Sequence, residues 1–116
     1  MHELYQWDRI PEEQMNPQVT RQVIHSDNMT LSRLGLKKGA FVPVHSHLAE
    51  QVCLVEAGKV RFVLDGRAQI VEAGQMLRIP PNLPHSAEAL EDSIAMDLFS
   101  PRREDWIRGD DSYLRK

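Results

Sequence analysis

His45, His47 and His85 are the residues of this 116-residue chain whose type and spacing point most directly to chemistry. Side chains at i and i+2 of a strand share a face, and a neighbouring strand can bring a third group across to them. That is a way for a sheet to gather imidazole nitrogens around one cation. Turn-forming residues frame both groups: Gly39, Pro43 and Gly58 around the pair, and Gly74, Pro80, Pro81 and Pro84 ahead of His85. Nitrogen donors suit a divalent Zn, Ni, Fe, Co or Mn ion better than Mg or Ca. The competing role for such histidines is to fill a protein interior.

Asp97 is the second residue of interest. On a strand, Ala95, Asp97 and Phe99 share one face and Leu98 takes the other. If that face points inward, a carboxylate lies beside the histidines, where burial raises its pKa and a cation lowers it. The pattern alone leaves two readings open. Asp97 is an acid/base group, or it caps a turn or pairs with Arg33 or Arg103 at the surface.

The elements that must carry these residues are strands. The spacing predicts strands over 20–25, 29–36, 41–47, 51–55, 60–64, 68–71, 75–79, 85–90 and 94–99, with Asp65-Gly66 as a hairpin turn. Ser100 and Pro101 predict a helix start, as N-cap and first helical residue, with a short helix or turn running to about Ile107. The expected organisation is a lead-in or edge segment at 1–18, a β-barrel at 19–100, and a helical turn with a loose polar tail at 101–116. Many short strands with no helix between them indicate an all-β sandwich or barrel. Met76 and Met96 read as core filler, Arg33 and Arg102 as solvated charges, and His2 and His25 have no assigned role.

Composition narrows the partners. The chain is 41% apolar and 27% charged, with a net charge of -3, so it offers no basic field for nucleic acid or an anionic membrane. The first residues are charged and lack the apolar core of a secretion signal. Cys53 is the one cysteine, which excludes an internal disulfide and fits a reducing compartment. A cytoplasmic protein with a buried, inert thiol is the expectation.

The two histidine blocks resemble the paired motifs of the cupins. The first motif runs from Gly39 through His45, His47 and an acidic-ligand position to Gly58; the second runs from Gly74 through Pro80 and Asn82 to His85. The resemblance covers about residues 29–99 and implies a jelly-roll β-barrel, a double-stranded β-helix. Asn82 stands where the family usually has Gly, and Asn tolerates the left-handed backbone this turn needs. At the acidic-ligand position, counting forward from His47 and back from Gly58 lands on Gln51. Glu50, one residue away, belongs to the opposite face of a strand and stands as the alternative if a bulge intervenes. The implied ligand set is His45, His47, Gln51 and His85 around one divalent transition metal ion.

Gln51 in that position, with the ending Asp97, Phe99, Ser100, Pro101, Arg103, Glu104 and Asp105, is similar to the pectin-degradation cupins. The resemblance implies action on 4,5-unsaturated uronates from pectin or alginate, converting the ring form to the linear keto form. It places Asp97, Arg103 and Phe99 in the substrate pocket. Asp97 would move a proton, Arg103 would pair with the substrate carboxylate, and Phe99 would wall the sugar or simply pack the core. The competing classes are an iron-dependent dioxygenase of a small organic acid and a non-catalytic sugar or small-acid binding module. Small cupins of this kind commonly pair, which implies a homodimer.

Overall fold

The computed structural model describes residues 1–116. Its ten strands are β1 (Glu13–Asn16), β2 (Val19–His25), β3 (Thr30–Leu36), β4 (Phe41–His45), β5 (Glu50–Ala57), β6 (Lys59–Leu64), β7 (Arg67–Glu72), β8 (Met76–Ile79), β9 (His85–Ala89) and β10 (Ser93–Ser100). They form two antiparallel sheets, a six-stranded one ordered β1-β2-β3-β10-β5-β8 and a four-stranded one ordered β4-β9-β6-β7. The architecture is the all-β jelly roll expected, with the barrel drawn as two sheets that share no ladder. A short helix, α1 (Glu104–Ile107), and a 3-10 turn at Ser112–Leu114 follow.

Alternation along the strands builds the core and then the site. In β3, β5 and β10 every second residue is buried, the period-2 pattern of a sheet with one covered face. Leu34, Ala95 and Val55 form one inward row in register across the three strands. One step along, the row is Ser32, Asp97 and Cys53; the next is Thr30, Phe99 and Gln51. The six-stranded sheet therefore changes from apolar to polar towards one end of the sandwich. From the other sheet, Val42, Val60, Phe62, Val71 and Ala89 complete the apolar part.

Two turns carry the sequence requirement most clearly. Asn82 adopts φ 64, the left-handed conformation anticipated for it, and its N–H donates to the His47 carbonyl at 2.8 Å. Gly58 has φ 86, and a Cβ there would strike Ser93 Oγ and the Asp92 carbonyl, so only glycine closes this turn.

Three expectations are corrected, and the lead-in takes the second of its two expected forms. Residues 13–16 of the lead-in form the edge strand of the large sheet, and Tyr5, Trp7 and Ile10 lie against Ile24, Leu31 and Met96 on its outer face. Met76 is exposed rather than core. The helix starts at Glu104, because Ser100 is still paired with Glu50 in β10 and the Arg103 N–H is taken by Thr30 Oγ1 at 2.8 Å. The tail is not loose: Asp111 and Leu114 are buried, and Asn16 Nδ2 donates to the Leu114 carbonyl at 2.9 Å.

Candidate metal centre and active site

The small sheet and the loop beyond it supply the histidines. His45 ends β4 directly opposite His85, the first residue of β9. β4 is an edge strand with a register shift between Val42 and His45, which accommodates Pro43. His47 lies beyond the end of β4, in the connection to β5, so the same-strand rule is not what unites the pair. The rings nevertheless converge, with centroids 5.6 Å apart for His45 and His47, 4.2 Å for His45 and His85, and 4.9 Å for His47 and His85. One nitrogen from each lies within 4.8 Å of the others.

Backbone carbonyls orient all three rings. Each Nδ1 is 2.8 Å from a carbonyl oxygen: Pro43 for His45, Ala49 for His47 and Leu83 for His85. In a neutral imidazole this makes Nδ1 the donor and leaves the Nε2 lone pair free. Burial keeps the rings neutral, pushing His45 and His47 down to about 4 and lowering His85 as well.

The large sheet completes the cluster. Gln51 Oε1 sits 3.1 Å from His47 Nε2, and Gln51 Nε2 donates to Asp97 Oδ1 at 2.8 Å. Two acceptors, a lone pair on His47 and an amide oxygen on Gln51, thus face each other in a buried place. His85 Nε2 is also buried without a partner. Such groups are costly unless something satisfies them, and a cation bound among them would satisfy them together. The donor set fits a transition metal held by three nitrogens and one amide oxygen. Glu50 turns outward to Arg78, at 2.6 Å.

Asp97 is 4% exposed, and burial raises its pKa against the opposing pull of Gln51, Cys53 and Arg103. It is not a surface cap or a surface ion pair. Cys53 is buried beside it with its thiol pKa raised, as an inert thiol requires. Arg103 is buried too. Its guanidinium stacks on Phe99 at 4.6 Å and Trp106 at 4.3 Å, and it grips Asp105 with two hydrogen bonds of 2.9 and 2.8 Å. Arg33 pairs with Glu56 and Arg102 with Glu104, both away from the site.

Sequence reasoning missed Tyr113 and Trp106, and it placed Asp105 in the ending motif without a role. The Tyr113 ring stacks on His45 at 4.5 Å, and its hydroxyl accepts from Arg103 Nη2 at 2.9 Å and Trp106 Nε1 at 3.0 Å. A lone aromatic in a polar tail carries no periodic signal that could have placed it there. His45, Gln51, His85, Asp97, Phe99, Arg103 and Tyr113 all line one cavity of about 50 Å3 between the sheets.

A jelly roll with three histidines gathered between its sheets has the architecture of the cupins, and this chain belongs to that family: it matches the Cupin domain over residues 32–100. More particularly, it is similar to pectin degradation protein KdgF of Dickeya dadantii (strain 3937), with 30% identity over 103 residues, covering 86% of this chain and 94% of that protein. The structure of KdgF from a Halomonas species superposes with a TM-score of 0.85 at 27% identity, covering 91% of this chain and 99% of that one. An RmlC-like cupin from Shewanella frigidimarina NCIMB 400 gives 0.84 at 27% identity, with coverage of 91% and 96%.

Proposed function

We propose that this chain is a metal-dependent enzyme that opens 4,5-unsaturated uronates to their linear keto form. The observation that carries the reading is the Gln51–Asp97 hydrogen bond, which joins a buried carboxylate to the histidine cluster. The likeness to KdgF supports the choice of substrate. His45, His47, His85 and Gln51 would hold the metal. Bound there, it would act as a Lewis acid towards substrate oxygens.

Asp97 accepts the proton of the anomeric hydroxyl as the bond from that carbon to the ring oxygen breaks. The ring oxygen is left as an enolate, and a proton returned to the neighbouring carbon gives the ketone, so the net change is isomerisation. Burial raises the proton affinity of Asp97 and suits it to both transfers. Phe99 and the apolar wall exclude water, and Arg103 supplies positive charge for the carboxylate. The test is loss of the unsaturated-uronate ultraviolet band with purified protein, with and without chelator, alongside elemental analysis. No rate above the spontaneous one in the metal-loaded protein would overturn the proposal. Oxygen uptake with an iron-loaded sample would favour a dioxygenase instead.

We also infer a homodimer and a cytoplasmic setting. Leu4 and Tyr5 of the lead-in are exposed apolar side chains suited to a second copy, and Cys53 is a free thiol. No helix is long and apolar enough to cross a membrane. A monomeric mass at micromolar concentration would remove the dimer.

A further inference from the structure

The cavity of about 50 Å3 is far smaller than the few hundred Å3 that small-molecule pockets usually offer. A sugar acid does not fit beside the histidines while the molecule is arranged this way. Of the residues lining the cavity, only Arg103, Tyr113 and Leu114 lie outside the strands. Enlarging it through the strands would break ladders; moving the tail would not.

The tail has one joint at which it can move as a unit. Gly109, with φ 85 and open space around its Cα, separates α1 from the 3-10 turn that carries Tyr113. Beyond it, the backbone joins no sheet; it is held by the packing of Tyr113 and Leu114 against the core and by three polar links to the strands, Asn16 to the Leu114 carbonyl, the buried Arg21–Asp111 pair at 2.9 Å, and Arg115 to Glu13 at 3.4 Å. Swinging the tail out exposes Leu114 and wets the Arg21–Asp111 pair, so opening has a cost that a ligand's pairing with Arg103 has to offset.

Tyr113 also occupies chemistry that a substrate needs. Arg103 Nε and one Nη2 hydrogen go to Asp105, and the Tyr113 hydroxyl oxygen accepts from the same Nη2, taking its second hydrogen. Its ring covers His45. A groove of about 410 Å3 lies outside, but of the three histidines it reaches only His47, and it does not reach Asp97. The cavity behind Tyr113 is where His45, His85, Gln51 and Asp97 meet.

We propose that Tyr113 is a specificity-determining gate: its hydroxyl holds the place of a substrate carboxylate oxygen at Arg103, and the segment after Gly109 swings out when an anionic ligand takes that place. The substrate class of this gate, a uronate, rests on the function proposed above; the gate itself is tested without one. Apparent affinity scales with the fraction of molecules that are open, so a gate open in about one molecule in ten weakens binding about tenfold.

Acetate is titrated into Co(II)-loaded protein and followed through the visible metal band, in the wild type, Tyr113→Phe and Tyr113→Ala. Tyr113→Phe keeps the ring and guards against loss of folding. Both variants are expected to bind acetate at least fivefold more tightly than the wild type. Equal or weaker binding in Tyr113→Phe overturns the gate. A second readout is amide exchange over residues 110–115, expected to rise when acetate saturates the wild type; protection or no change overturns it. Inert uronates with an intact acetate response would remove the proposed reaction and leave the gate standing.

Discussion

Gln51 donates one amide hydrogen to Asp97 across 2.8 Å and so turns its own oxygen towards His47, 3.1 Å away. One side chain therefore orients the carboxylate and completes the nitrogen cluster. The arrangement depends on register: Gln51 and Asp97 face inward from neighbouring strands, two residues out of step along β10.

Replacing Asp97 with Asn removes the proton carrier and keeps the shape. Turnover of unsaturated uronates is expected to fall by roughly 10²- to 10⁴-fold. Metal content, measured by elemental analysis, is expected to persist. Unaltered turnover would remove Asp97 from the mechanism.

Gln51→Leu deletes the amide oxygen and leaves Asp97 without its donor. Metal affinity is expected to drop by roughly ten- to a hundredfold, by analogy with the loss of groups that orient metal ligands. Competition with a chelator of known affinity measures it, and an unchanged affinity would exclude Gln51 from the coordination set.

Glu50→Gln is the matching control. The Glu50–Arg78 pair is solvent-facing on both sides, so its loss is expected to cost no more than about 1 kcal/mol. Activity and metal content are expected to match the wild type. A lost metal would show that Glu50, rather than Gln51, is the ligand.

Acid is expected to weaken the fold through Asp111. Arg115 and Arg21 hold its carboxyl below the usual carboxylate range. A depressed folded pKa means stability that is fully present above the unfolded value, near 4, and lost as pH falls through the folded one. Urea unfolding at pH 7 and pH 3 is expected to show a fall that is smaller in Asp111→Asn. An equal fall in both proteins would assign the acid sensitivity to other groups.

Much of the site is legible in the chain because its parts are local. Gly58 and Asn82 are required by their own backbone conformations, and counting between Gly58 and His47 selects Gln51 over Glu50. Alternation places Asp97 on the inner face of β10. The tail was illegible for the opposite reason. Tyr113 and Leu114 sit among polar residues, and what buries Asp111 and Leu114 is distant in sequence: Arg21 for the carboxylate and the core between the sheets for the leucine. The helix begins later than its capping sequence favours because strand pairing through Ser100 overrides that local preference.

The histidines come from the four-stranded layer and its outgoing loop, whereas Gln51 comes from the six-stranded one. A cation seated among them would act as a rivet through a sandwich whose two layers share no ladder. Heat tolerance should therefore track occupancy, by about 2.7 kcal/mol at a free metal concentration a hundred times the dissociation constant. Stripping the ion would let the layers part first at the end that holds the chemistry.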